Sequence, residues 1–176
     1  FDNIFVICLQ EHEDKYQFMQ GFVTELDGLG LRDKSNIVLL PEQTSSQSET
    51  VYTFLSGYDL DGYIFIKDSD GFYRTEITEE RNQVAYFDLN DMDDINARTK
   101  SYVELALNGT VVNIVEKKVI SSTFSSGGYG FADAKKFCST YEKLQDMEGE
   151  CYISHVIWQM MLDTEVFHGL KTTDFK

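Results

Sequence analysis

Apolar positions along the chain fall into two rhythms. Ile4-Phe5-Val6-Ile7-Cys8-Leu9 is a continuous apolar run and reads as a buried strand, whereas Glu11 to Leu26 places Tyr16, Met19, Phe22, Val23 and Leu26 at helical spacing. A second short run, Asn36 to Leu40, is ended by the single proline, Pro41, and a Ser/Gln-rich loop leads into a predicted helix over Glu49 to Leu55 that Gly57 closes. The third run, Gly62 to Ile66, delivers Asp68 and Asp70 at its carboxyl end. This β-α-β-α-β order with continuous apolar strands predicts a parallel sheet covered on both faces, with the three strands mutually parallel in one sheet.

Beyond residue 80 the rhythm changes. Asn82 to Leu89 and Ser101 to Leu107 read as strands, and Asn108-Gly109 before Val111 to Val115 is a two-residue type I′ hairpin signal. Gly127-Gly128-Tyr129-Gly130-Phe131 then enters a helix from about Ala132 to Leu144; a second helix follows over Tyr152 to Leu162, and a last strand over Val166 to Leu170. The fold class expected is α/β, a three-layer α/β/α arrangement around a mostly parallel mixed sheet with an antiparallel hairpin excursion. No linker divides the 176 residues, so a single domain over 1–176 is expected.

Charge narrows the function. Thirty Asp and Glu against fifteen Lys and Arg give a net charge of −15, which leaves no basic footprint for nucleic acid or an anionic membrane. No apolar run is long enough for a membrane span and no signal core opens the chain, so a cytoplasmic protein is expected. Cys8, Cys138 and Cys151 are scattered and form no CxxC pair, and His12, His155 and His168 show no metal-ligand spacing.

Four loops after strands carry the candidate chemistry. Asp68 and Asp70 offer hard oxygen ligands for Mg²⁺ (or Mn²⁺); the other reading is a polar turn ended by Gly71. Ser46, Gln47 and Glu49 stand where a strand meets a helix N-terminus, suited either to a base or ribose or to helix capping. Glu116-Lys117-Lys118 ends the Val111 strand, and Lys117 is either the point charge for a phosphorylated substrate or part of an exposed basic patch. In Ser125-Ser126-Gly127-Gly128-Tyr129-Gly130 the glycines admit a ligand to the backbone or allow a bulge.

In chain order, "VICLQEHEDKY", "LLPEQTSSQSETVYTFL", "YIFIKDSDGFY", "VNIVEKKVISSTFSSGGYGFADAKKF" and "CYISHVIWQMM" resemble the sugar-phosphate nucleotidyltransferases of the GT-A-like (Rossmann-like) fold, nearest in flavour to the capsule and lipopolysaccharide group. The resemblance spans nearly all of the chain and is most specific at "EKK" followed by "GGYGF". It implies that Asp68 with Asp70 holds the metal and that Gln47, with Ser46 and Glu49, lies near the base. It also implies that Lys117 beside Glu116 contacts the sugar phosphate, and that Gly127 and Gly128 line the sugar pocket. Asp68 and Lys117 are thus the implied catalytic residues, and an NTP and a sugar phosphate the implied partners. The family's G-x-G-x-R nucleotide loop and its later D-x-G-T-like segment have no counterpart here, so the chain is expected to be the middle of such an enzyme. If a central strand is missing, an open sheet edge is expected to invite a second copy of the chain. A GT-A glycosyltransferase consuming a nucleotide sugar, and a non-catalytic binding remnant of the same fold, stand as alternatives.

Overall fold

The computed structural model describes residues 1–92 and 99–176, which form two compact units, Phe1–Ser45 and Ser46–Lys176. In the first, strand β1 (Ile4–Leu9) is followed by helices α1 (Gln10–Tyr16) and α2 (Met19–Gly28) and by strand β2 (Ser35–Leu40). β1 and β2 pair in parallel, from Ile4 opposite Ser35 to Leu9 opposite Leu40, as two helical crossover segments between apolar strands require. The single helix expected over Glu11 to Leu26 is two helices. Gln17 adopts a left-handed backbone with its N–H on the Glu13 carbonyl, and the Glu13 carboxylate accepts the Met19 N–H at 3.0 Å, so one residue closes α1 and caps α2.

The second unit contains α3 (Gln47–Tyr58), β3 (Ile64–Lys67), β4 (Gln83–Asp88), β5 (Ser101–Leu105), β6 (Val111–Glu116), β7 (Thr123–Phe131), α4 (Ala134–Glu142), α5 (Ile153–Leu162) and β8 (His168–Lys171). Gly57 lies inside α3, which runs on to a left-handed Asp59 whose N–H reaches the Leu55 carbonyl. The sheet order is β6-β5-β7-β4-β8, with β3 on β7. β8 runs parallel to β4, while β3, β4 and β5 all lie antiparallel to β7.

The mixed α/β class is the expected one, but antiparallel pairing reaches beyond the hairpin. β3 takes β7 as its neighbour, and β1 with β2 makes a separate two-stranded ladder instead of one three-stranded parallel sheet. Crossover handedness fixes direction only for strands that share a ladder; which strand β3 joins is settled by side-chain fit. The fit lies in β7, predicted as a loop into a helix and observed as a nine-residue strand. A Cβ on Gly128 would stand 2.9 Å from the Phe65 ring, and one on Gly130 would stand 2.9 Å from the Tyr63 hydroxyl. Glycine is normally poor in a strand, but here it makes room for aromatic side chains around it.

The hairpin also differs from expectation. The Gly109 N–H bonds the Ala106 carbonyl, Ala106 N–H bonds the Thr110 carbonyl, and only Gly109 (φ 80°) of the pair takes positive φ. That is a three-residue loop, a type I turn followed by a left-handed glycine, with Asn108 accepting the Thr110 N–H through its side chain. Behind the sheet, Phe131, Phe137 and Phe167 are fully buried, with Phe131 edge-on to both at 4.9 and 5.8 Å, each stabilising the fold by about 1.5–3 kcal/mol. Among the described residues no helix is long and apolar enough to cross a membrane.

Candidate functional site

The end of β3 is pinned before it turns. Asp68 N–H continues the ladder to the Gly127 carbonyl at 2.8 Å. Lys67 folds back, its ammonium donating to the carbonyls of Asp68 (2.6 Å) and Gly71 (2.5 Å) while standing 4.8 Å from the Tyr73 ring centroid. The Asp68-Ser69-Asp70-Gly71 turn is thereby held by its own lysine. Gln47, in the first turn of α3, donates its side-chain amide to Asp68 Oδ1. Ser46 sets that helix start, since its hydroxyl accepts the Glu49 N–H at 3.2 Å.

Gly127 has φ +83°, and a Cβ there would lie 2.7 Å from Asp68 Oδ2, so only glycine lets this carboxylate lie against β7. Burial pushes the Asp68 carboxyl above its ordinary range. The Gln47 hydrogen bond, Lys67 and Lys100 oppose that shift and Asp70 adds to it. Tyr129, fully enclosed nearby, has its phenol pushed up by burial first and by Asp68 second.

At the end of β6, Glu116 accepts hydroxyl bonds from Ser101 of β5 and from Ser154 of α5, the latter at 3.0 Å. Lys117 follows in a left-handed backbone (φ 55°) that ends the strand and carries its side chain outward. Its ammonium donates to the Tyr152 hydroxyl and stands 4.2 Å from that ring's centroid. The Tyr152 hydrogen bond raises the pKa of this exposed lysine.

Between these strand ends lies a cavity of about 280 Å³. Of the residues singled out in the sequence it gathers Gln47, Asp68, Asp70, Glu116 and Gly127. The other four do not line it. Ser46 is a buried helix cap, Glu49 lies in the first turn of α3, Lys117 packs on Tyr152, and Gly128 is buried where a Cβ would meet Tyr73 and Ala85. Ser125, Ser126 and Tyr129 of the glycine-containing stretch also line the cavity, as do Lys100, Ser101, Tyr152 and Ser154, which were not singled out. Ser101 could have been found, because hairpin pairing places it opposite Glu116; Lys100 carries no motif.

The donor set suits a hard divalent cation. Two carboxylates one residue apart face the same cavity as Glu116, and the nearer one is held above its ordinary pKa by burial and by its neighbour. Among the described residues no group of three or more His, Cys, Asp or Glu is placed to hold a metal ion.

No protein-family model matches the sequence, nor does any curated protein sequence. Solved structures do. The nucleoside-diphosphate-sugar pyrophosphorylase from Vibrio cholerae RC9 superposes with a TM-score of 0.75 at 18% identity, covering 97% of this chain and 72% of that one. The inositol-1-phosphate CTP transferase from T. maritima gives 0.68 at 13% identity, covering 99% and 68%. A glucose-1-phosphate thymidylyltransferase from Bacillus anthracis, solved with sucrose, gives 0.69 at 16% identity, covering 97% and 68%. The chain has the fold shared by these nucleotidyltransferases, the fold that its motif order resembles.

Proposed function

We propose that the protein transfers a nucleoside monophosphate from an NTP to a sugar phosphate or similar phosphorylated acceptor. An acceptor phosphate oxygen attacks the α-phosphorus of the NTP, a new P–O bond forms, and the bond to pyrophosphate breaks. The observation that carries this reading is the convergence of Gln47, Asp68, Asp70, Glu116 and Gly127 on one cavity at strand ends of the nucleotidyltransferase fold. The attacking oxygen is already ionised, so no general base is needed, and catalysis reduces to positioning and charge neutralisation.

Asp68 and Asp70 would hold Mg²⁺ (or Mn²⁺), which supplies charge neutralisation at the phosphate oxygens. Gln47 fixes one oxygen of Asp68, and Gly127 admits the other against the backbone. Glu116, held by Ser101 and Ser154, accepts hydrogen bonds from acceptor hydroxyls. In a chain of net charge −15 the cation also offsets the repulsion that phosphates meet on approach. The setting we infer is cytoplasmic nucleotide-sugar supply for a surface polysaccharide.

The test incubates the protein with Mg²⁺, each of the four common NTPs and a panel of sugar 1-phosphates. Pyrophosphate release together with a nucleotide sugar in the mass spectrum is the expected result. Absence of both, with no Mg²⁺-dependent nucleotide binding by calorimetry, overturns the reading. The Asp68-Ser69-Asp70 spacing, with both carboxylates on the cavity, also suits a glycosyltransferase holding the diphosphate of a nucleotide sugar. Consumption of a supplied nucleotide sugar in place of its formation would establish that alternative.

A further inference from the structure

The cavity is lined by Asp68, Asp70 and Glu116, and a lysine on its wall would give a phosphorylated ligand a direct charge-assisted contact beside any bound cation. The lysine to which the motif points is turned elsewhere: Lys117 is exposed, with its ammonium on the Tyr152 hydroxyl and ring. Lys67 is held by two backbone carbonyls and the Tyr73 ring. Lys176 lines the cavity but is exposed, and its backbone pairs with Phe72.

Lys100 differs from all three. It is half-buried, it lines the cavity, and it acts on the Asp68 carboxyl. Its backbone is fixed, because its carbonyl accepts the Lys117 N–H at 3.0 Å, immediately beyond the Ser101–Glu116 pair of the β5–β6 ladder. Its ammonium stands 5.1 Å from the Phe175 ring centroid, and that ring is itself packed on Phe87 and Phe124. The ammonium forms no hydrogen bond or ion pair with any described residue. A backbone tied to Lys117 and an aromatic support, with no donor hydrogen taken up by a described residue, suit the ammonium to a phosphate contact.

We propose that Lys100, rather than Lys117, is the residue that binds substrate phosphate in this cavity. The proposal rests on the nucleotidyltransferase reading for the identity of the substrate, while the anion contact itself can be tested without it. Calorimetry with inorganic pyrophosphate, with and without Mg²⁺, is run on the wild type and on Lys100→Ala, Lys100→Gln, Lys100→Arg and Lys117→Ala, each with a thermal melt to confirm folding. Loss of at least tenfold in affinity is expected for the Ala and Gln variants at 100, retention within about threefold for Lys100→Arg, and a change below twofold for Lys117→Ala. In the transfer assay Lys100→Ala should raise KM for the phosphorylated acceptor more than it lowers kcat.

No pyrophosphate binding by the wild type, or binding that survives both Lys100→Ala and Lys100→Gln, overturns the proposal. Lys100-dependent pyrophosphate binding without nucleotidyl transfer leaves it standing and removes the enzymatic reading. Transfer in which Lys117→Ala alone raises the acceptor KM does the reverse.

Discussion

The two halves of β7 use glycine for opposite ends. In Gly128–Phe131 the missing side chains are filled by others: a Cβ on Gly128 would meet the Tyr73 hydroxyl at 2.1 Å, Ala85 Cβ at 2.8 Å and the Phe65 ring at 2.9 Å. In Ser125–Gly127 the same smallness leaves room beside a polar cavity, and the nearest neighbour of a Cβ on Gly127 would be the Asp68 carboxylate. One half is a packing seam. The other is a wall of the site. Adjacent glycines of a single motif therefore answer to different pressures, and substitution should separate them.

The largest effect is expected at the seam. Gly128→Ala should cost about 3 kcal/mol by overpacking, read as a lower midpoint in urea. The Tyr73 hydroxyl is buried with no hydrogen-bond partner among the described residues. Tyr73→Phe alone should therefore be neutral or slightly stabilising, and combined with Gly128→Ala it should recover part of the loss in a double-mutant cycle. Strict additivity would show that the clash lies elsewhere.

On the wall, Gly127→Ala forces an alanine to φ +83° against Asp68, and a loss of about 1–2 kcal/mol is expected. Its signature is a disproportionate fall in Mg²⁺-dependent ligand binding, which Gly128→Ala should not show in the fraction that remains folded.

Asp68→Asn should move stability the other way. The folded-state pKa of Asp68 is raised, chiefly by burial, so its ionised form is the disfavoured one in the fold. Its contribution is fully present below the unfolded value, about 3.9, and is lost as pH rises through the folded value. Without divalent cation at pH 7, Asp68→Asn should melt roughly 2–4 °C above wild type; near pH 3 the two should coincide. Adding Mg²⁺ with nucleotide should reverse the order at pH 7. A gain that persists at pH 3 would point to packing as its source.

The smallest effect is expected at the hairpin, outside both halves. Gly109 has φ +80° with open space around a Cβ, so Gly109→Asn should cost well under 1 kcal/mol and Gly109→Val clearly more, compared by thermal melts.

Strands whose apolar sequence is continuous were legible, whereas β7, buried along nearly its whole length, was not. The Ile4–Leu9 run matches β1 residue for residue, and β2, β3 and β6 lie within one or two residues of their expected bounds. Asp68 and Asp70 were legible because they follow such a strand. What stayed hidden depends on partners distant in sequence. Gly and Ser in β7 argue locally against a strand, and only the aromatic side chains of Tyr63, Phe65 and Tyr73, about sixty residues earlier, make that composition fit. The break at Gln17 interrupts a helical pattern that the apolar spacing carries straight through. Lys117 was readable as a motif residue, but its direction follows from a positive φ that the sequence does not announce. Lys100 becomes visible only once the β5–β6 register sets Ser101 opposite Glu116 and ties the preceding carbonyl to Lys117, at the rim of the same cavity.

That β3, β4 and β5 all find their neighbour in β7 has a consequence for synthesis of the chain. Emerging from a ribosome, Ile64–Lys67 has no antiparallel mate until Gly128–Phe131 appears, a wait of roughly 3 to 13 seconds at 5–20 residues per second. The β5–β6 hairpin can close as soon as it is made, because its strands are joined by a short local turn. During that interval the apolar strand before Asp68 is a nascent segment with an unclaimed edge, and the arrival of the glycine strand is the event that commits the growing polypeptide to its sheet.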